Sequence, residues 1–254
     1  VLYSDNSLKV LKWDGQASSW SDITPSPAPT QGGSATRRFD LAAENLTGRI
    51  MTAYYNGTTG AVTYAVWSAS ASAWASAPAS LAMASLTGSI NWVKLEPMPG
   101  TNRILLTALD ANSDISAAVW NGSAWIDNVN LTAAAAIATK ESFDAAWETQ
   151  TGDALVLWGE GTNTNYRKWF STGTWAPAAS AGPAIAATAG ANWIGLCSDP
   201  GSNRIGLTSL DGDIDWNTAV WRPSGTEGWS ALPAQDTAMS GIAYRMTDCA
   251  WESQ

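Results

Sequence analysis

A pair of tryptophans recurs five times along this chain of 254 residues. The first of each pair is Trp13, Trp67, Trp120, Trp169 and Trp221; the second is Trp20, Trp74, Trp125, Trp175 and Trp229. Successive first tryptophans lie 54, 53, 49 and 52 residues apart. A fixed period of this size marks a repeat architecture, in which each unit buries its apolar face against the next. Function then turns on what a set of similar units presents to its surroundings.

Each unit reads as four short strands. In the fourth, Phe143–Glu148 alternates, Thr149–Asp153 turns, Ala154–Trp158 is apolar, Tyr166–Phe170 follows, and Ser171-Thr172-Gly173 turns into Trp175. Short alternating runs bounded by Gly, Asn, Asp and Thr are strand and turn signals. Four strands per unit of this length predict the blade of an all-β propeller. The segment Asp248-Cys249-Ala250-Trp251-Glu252 aligns with Asp144–Glu148, and Val1-Leu2-Tyr3 aligns with the second strand of unit four. Across that join Trp221 and Trp13 are 46 residues apart. The expectation is one domain over 1–254, a closed five-bladed ring whose C-terminal strand completes the N-terminal blade. The blades are 246–254 plus 1–38, 39–90, 91–142, 143–191 and 192–245. Closure removes free sheet edges. A start in mid-blade reads as a mature product or a piece of something longer.

Charge narrows the partners. The net charge of −9 argues against nucleic acid, which needs clustered Lys and Arg, and against anionic membrane surfaces. No run of 18 apolar residues predicts a membrane-spanning helix, so no membrane insertion is expected, and no signal peptide is evident. Charged residues make up only 14% of the chain, so Ser, Thr, Asn and Gly carry solubility, which points to an extracellular or cell-surface setting. Histidine is absent, which excludes Ser-His-Asp and Cys-His catalysis and the commonest zinc ligands. No cofactor and no metal are expected. By alignment Cys249 matches Ala145 and Cys197 matches Glu148, so strict alternation points their side chains to opposite faces and no disulfide is expected. Cys249 reads as a small core residue. Four sequons, at Asn45, Asn56, Asn121 and Asn130, are candidate glycosylation sites or chance triplets in a chain rich in Asn, Ser and Thr.

Aligned first strands yield columns. Leu41, Val93, Ala145, Ile194 and Cys249 form one apolar column; Ala43, Leu95, Trp147, Leu196 and Trp251 form the next, both suited to packing between blades. The opposite face looks into the central channel. Its middle column, Ala42, Lys94, Ala146, Gly195 and Ala250, is mostly small. At one end Glu44, Glu96, Glu148 and Glu252 stand beside Cys197 as a candidate carboxylate ring, holding a cation or accepting backbone N–H groups. At the other end Asp40, Trp92, Asp144, Trp193 and Asp248 form a candidate ligand-binding rim. Flat indoles beside carboxylates suit a sugar ring, with its apolar face and hydroxyl donors. Two indoles plugging the channel is the competing reading and the favoured one, with sugar pockets between blades instead.

The turns before the second tryptophans, such as Asn121-Gly122-Ser123-Ala124-Trp125 and Ser171-Thr172-Gly173-Thr174-Trp175, resemble a worn Asp-box of sialidase-type propellers, which is a folding element. The five units of about 50 residues also resemble the tachylectin type of lectin. That resemblance implies sugar binding in similar pockets between blades. Asp211-Gly212-Asp213-Ile214-Asp215 has the alternate carboxylates of a calcium loop but lacks the downstream glutamate, and reads as a solvated hairpin turn. Arg49, Arg103 and Arg204 recur just before the second strand, as a repeated turn contact or salt bridge. Ala133–Ala136 falls in a link between units and reads as loop or outer strand.

Three functions compete. The first is a non-enzymatic extracellular binding or adhesion propeller, lectin-like and carbohydrate-binding, whose repeated weak sites add by multivalency. The second is a structural repeat unit of a surface layer, sheath or filament, partnered by neighbouring copies. The third is a five-bladed glycoside hydrolase using Asp40, Asp144 and Asp248. Catalysis needs two carboxylates in unlike environments, and here the acids recur in register.

Overall fold

A computed structural model describes residues 8–26, 36–75, 77–185, 189–223, 228–233, 235–241 and 243–252. Among them every element is a β-strand. The first sheet pairs β1 (Leu11–Asp14) with β2 (Ser19–Asp22). The second runs β3 (Phe39–Ala43), β4 (Ile50–Tyr54), β5 (Ala61–Ser68) and β6 (Ala73–Trp74), with β7 (Ala79–Ala82) also on β5. The third is a meander of β8 (Ile90–Pro97), β9 (Ile104–Asp110), β10 (Ile115–Trp120) and β11 (Trp125–Thr132). The fourth has β12 (Phe143–Trp147), β13 (Ala154–Glu160), β14 (Asn163–Phe170) and β15 (Thr174–Trp175), with β16 (Ser180–Ala181) on β14. The fifth has β17 (Ala191–Ser198), β18 (Ile205–Asp211), β19 (Trp216–Arg222) and β20 (Gly228–Ala231). All pairings are antiparallel.

The tryptophan repeat has one geometric meaning. Trp13 faces Trp20, Trp67 faces Trp74, Trp120 faces Trp125, Trp169 faces Trp175 and Trp221 faces Trp229, each as direct cross-strand partners. Directly opposed aromatic side chains stabilise an antiparallel pair and fix its register. The turn between them is chemically specified. Asn121 Oδ1 accepts the N–H groups of Ser123 and Ala124 at 2.9 Å each, and Gly122 supplies a φ of 99°. Asp14 does the same for Gln16 and Ala17 in the first sheet.

Between consecutive sheets lie three apolar cores. Met51, Val62 and Leu86 meet Val93, Leu106 and Trp120 between sheets two and three. Leu105 and Val119 meet Trp147, Val156 and Trp169 between three and four. Leu155 and Leu157 meet Ile194, Leu207 and Trp221 between four and five. The inner strands β3, β8, β12 and β17 pack side by side. Small residues permit this approach. A Cβ on Gly195 would stand 2.5 Å from the Arg245 guanidinium.

Residues 243–252 form no strand and lie along sheet five. Val1-Leu2-Tyr3, the expected partner of Asp248–Glu252, lies outside the described residues. One expectation is overturned: Cys197 and Cys249 form a disulfide, with Cα atoms 5.9 Å apart. Alternation along a strand sets facing only within a sheet. Cys249 belongs to an irregular segment, which Trp251 docks beside β17 through its indole N–H on the Cys197 carbonyl at 2.8 Å. The Arg204 guanidinium covers the Trp251 ring at 4.8 Å.

Candidate functional site

Inner-strand packing brings the Asp/Trp rim residues to the starts of β3, β8, β12 and β17. Asp40 Oδ2 accepts the Leu95 N–H at 2.8 Å, and Asp144 Oδ2 accepts the Leu196 N–H at 2.9 Å. Their Oδ1 atoms accept the N–H of the next residue, Leu41 and Ala145. Each aspartate therefore clips its own inner strand to the following one. Trp92 and Trp193 are 5% and 7% exposed, and their rings meet edge to face at 5.7 Å. The Trp92 indole nitrogen is buried without a hydrogen-bond partner. Asp248 is exposed and accepts the Cys249 N–H at 2.9 Å.

Around the rim runs a network of charge. Lys94 lies 3.1 Å from Asp144 and 3.7 Å from Glu96. Arg37 bridges Asp40 at 3.2 Å and Glu141. Arg245 reaches Glu141, Asp144 and Asp248 at 3.6, 3.9 and 3.4 Å. Burial works to lower the Lys94 ammonium, but Asp144 and Glu96 more than reverse this and its pKa is raised. For Glu96 burial wins over Lys94, and its carboxyl is pushed up to about 7. Glu141 is pushed up by burial against the pull of Arg37. Strand alignment missed Arg37, Glu141 and Arg245. All three stand three residues before the aspartates of the rim, so extending the column outward finds them.

The structure does not gather the four aligned glutamates into one ring. Glu44 lies between sheets two and three, receiving the Trp120 indole N–H at 2.7 Å, Arg49 Nε and Nη2 at 2.7 Å each, and the Thr47 hydroxyl. Burial pushes its pKa up, yet the Arg49, Thr47 and Trp120 hydrogen bonds prevail and lower it. Glu148 receives the Trp221 indole N–H at 2.8 Å, Lys168 at 3.1 Å and Thr151 at 2.7 Å. Only Glu96 joins the charge network, and Glu252 is exposed on the segment beside sheet five. A satisfied site beside an indole draws the other two carboxylates out of the central face.

Asp110 and Asp211 organise hairpins. Asp110 Oδ1 accepts the N–H of Asn112 and Asp114 at 2.9 and 3.0 Å, and its Oδ2 those of Thr87 and Gly88 at 2.9 and 2.6 Å. Asp211 Oδ1 accepts the N–H of Asp213 and Asp215 at 3.0 Å each. Both carboxylates are buried, 0% and 1% exposed, while Gly212 and Asp213 at the tip of the Asp211 hairpin turn are exposed. Their lone pairs serve backbone donors and leave little for a calcium ion. Among the described residues no group of three acidic, Cys or His side chains is placed to hold a metal.

A polar depression of about 420 Å³ opens on sheet four, lined by Glu160, Asn163, Thr164, Asn165, Gly182 and Pro183. Glu160 Oε2 accepts the Trp158 indole N–H at 2.9 Å, Thr132 Oγ1 from sheet three at 2.9 Å, and Asn165 Nδ2 at 3.2 Å. Burial raises its pKa, but these hydrogen bonds outweigh burial and hold the carboxyl below its usual range. In the repeat Glu160 shares its position with Asp110 and Asp211, and with Asn56 just past β4 in unit two. Trp158 and Asn165 hold the carboxylate from its own sheet, and Thr132 reaches it from sheet three.

No family model matches the chain, and no curated protein does. Solved structures do. A fucose-specific lectin from Aleuria aurantia superposes with a TM-score of 0.57 at 18% identity, covering 91% of this chain and 71% of that one. A second structure of the Aleuria aurantia lectin, described as a six-bladed β-propeller, gives 0.54 at 18%, covering 93% and 72%. The BP39L lectin from Burkholderia pseudomallei gives 0.58 at 16% identity, covering 91% and 67%. Likeness at this identity establishes the fold, and the five antiparallel sheets are blades of a β-propeller.

Proposed function

We propose that this chain is a non-enzymatic, glycan-binding propeller whose sugar site lies between blades, at the Glu160 depression. One observation carries the reading: a carboxylate fixed in its ionised form by an indole and a hydroxyl from two adjacent blades, at the mouth of a polar hollow. An ionised acceptor beside Asn163, Asn165 and Thr164 suits neighbouring sugar hydroxyls, which need both acceptors and donors. The structural likeness to fucose-binding lectins supports the same ligand class.

The rim of Asp40, Trp92, Asp144, Trp193 and Asp248 is proposed as a structural plug. Its indoles pack on each other, and two of its aspartates are engaged with backbone. The same engagement argues against a glycoside hydrolase, whose two carboxylates must be free to act on substrate in different roles. An extracellular or cell-surface setting is supported by the Cys197–Cys249 disulfide, since such bonds persist in oxidising compartments.

A glycan array probed with the chain tests this. Glu160→Gln and Asn165→Ala are expected to abolish the binding seen with the parent, in chains that still melt cooperatively. Binding that survives both but disappears in Asp144→Asn would move the site to the rim. An array with no bound glycan would remove the reading.

A further inference from the structure

Two stretches beside sheet five are held in opposite ways. Residues 235–239 are stitched to it by backbone. Trp216 N–H donates to the Asp236 carbonyl at 2.8 Å, Gln235 N–H to that of Trp216 at 2.9 Å, and Met239 N–H to that of Ile214 at 3.1 Å. Residues 243–252 lie over β17 and β18 as a strap. Among the described residues no backbone–backbone hydrogen bond joins this strap to a sheet. Ordering such a segment costs conformational entropy, and here side chains alone must offset it.

Three side chains do so. Arg245 reaches Glu141 at 3.6 Å and Asp144 at 3.9 Å, across Gly195 of β17, where a Cβ would meet its guanidinium. Both ion pairs are long and the Arg245 side chain is 27% exposed, so solvent screens them. Trp251 donates its indole N–H to the Cys197 carbonyl under the Arg204 guanidinium. Between these two contacts stands the covalent one, from Cys249 of the strap to Cys197 of β17.

Sheet five is complete without the strap. β17 pairs with β18 from Trp193 to Ser198, with Cys197 opposite Gly206. Gly206 makes room for the bond: a Cβ there would stand 2.8 Å from Cys197 Sγ and 3.6 Å from the Trp251 indole nitrogen. The disulfide is also within reach of a thiol. Both cysteines are half-buried, and a hollow of about 330 Å³ lined by Cys197, Gly206, Trp216, Leu232, Cys249 and Trp251 opens beside them.

We propose that Cys197–Cys249 is a redox latch, opened by an external dithiol, whose opening frees the 243–252 strap from sheet five. A thiolate of the dithiol attacks one sulfur and forms a mixed disulfide, and the other cysteine leaves as a thiolate. The second thiol of the reagent then displaces the first cysteine. Two electrons and two protons pass to the protein, which ends with two thiols, and the dithiol ends as a disulfide. Accessible disulfides are the ones that exchange in this way. With the strap goes Arg245, so Glu141 keeps Arg37 and Asp144 keeps Lys94, and the rim network becomes more negative. The inference stands apart from glycan binding.

Backbone amide NMR relaxation of the full chain tests it, with the disulfide intact, after dithiothreitol, and in Cys249→Ser without reductant. Order parameters of 243–252 are expected to fall below about 0.6 in both open forms, while those of β17 and β18 stay near about 0.85. The Trp251 indole N–H resonance should move to its solvent-exposed position on reduction and return on reoxidation. Arg245→Ala with the disulfide intact is expected to leave the strap ordered. A strap that stays ordered in the reduced chain and in Cys249→Ser would overturn the proposal. So would disordering of β17 and β18 together with the strap, since the bond would then be a staple of the whole sheet. A strap freed by Arg245→Ala alone would place the latch in the ion pairs and overturn it equally.

Discussion

Glu44 and Glu96 stand at the same aligned position of adjacent blades, and the protein treats them in opposite ways. Glu44 is 1% exposed at its side chain and held below the usual carboxylate range; Glu96 is 28% exposed and pushed up to about 7. Surface exposure and depth part company here: Glu96 touches solvent at one edge yet lies among more protein atoms, and desolvation is the largest influence on it. Which acid ionises is decided by desolvation weighed against the partners each one has. Glu44 sits among an indole N–H, a bidentate guanidinium and a hydroxyl, all fixed by strands or turns. Glu96 has one ammonium at 3.7 Å, and Asp144 shares it. A satisfied buried carboxylate is stable as an anion, and an under-supplied one is not.

Removing the indole should give the largest effect. Trp120→Ala empties the space beside Glu44 and is expected to cost about 3–5 kcal/mol by chemical denaturation. A loss below about 1 kcal/mol would show that the tryptophans serve something other than packing.

Neutralising the two glutamates should separate them by sign. Glu44→Gln is expected to cost roughly 2–3 kcal/mol at pH 7, because Arg49 loses its charged partner. This loss should vanish on acidification: a depressed carboxyl contributes stability above its unfolded pKa and loses it as pH falls through the folded value. Glu96→Gln should do the reverse. With the folded carboxyl near 7 and an ordinary value of 4.5, the folded state binds the extra proton between those pH values. Stability therefore falls as pH rises through that window, and the glutamine variant should gain on the order of 1–2 kcal/mol over the parent at pH 8 relative to pH 5. Urea midpoints at the two pH values check this, and parallel pH curves for parent and variant would break the contrast.

The smallest change sharpens it. Arg49→Lys keeps the charge beside Glu44 but loses the two-pronged contact, at an expected cost of about 1 kcal/mol. No measurable cost would mean that Trp120 and Thr47 alone secure the acid.

Much of this was legible in the chain. The tryptophan spacing located the hairpins, since cross-strand partners recur with their turns, and the apolar columns located the faces between blades. The difference between Glu44 and Glu96 was not legible, because it depends on Trp120, which lies 76 residues beyond Glu44 and belongs to another blade. Cys197 and Cys249 were misread because period two was carried into a segment that is not a strand. Glu160 shares its place in the repeat with Asp110 and Asp211, but its contact with Thr132 of the preceding blade was not legible.

The 76 residues between Glu44 and Trp120 also impose an order in time. At about 5–20 residues per second of synthesis, roughly 4–15 s pass after Glu44 is made before its indole exists. Glu148 waits 73 residues for Trp221 in the same way. Throughout each interval a carboxylate destined for the interior has only its local cation and hydroxyl as company. The nascent blade is best kept open and hydrated until its successor appears, so chaperone contacts on an emerging chain should lapse in steps of two blades.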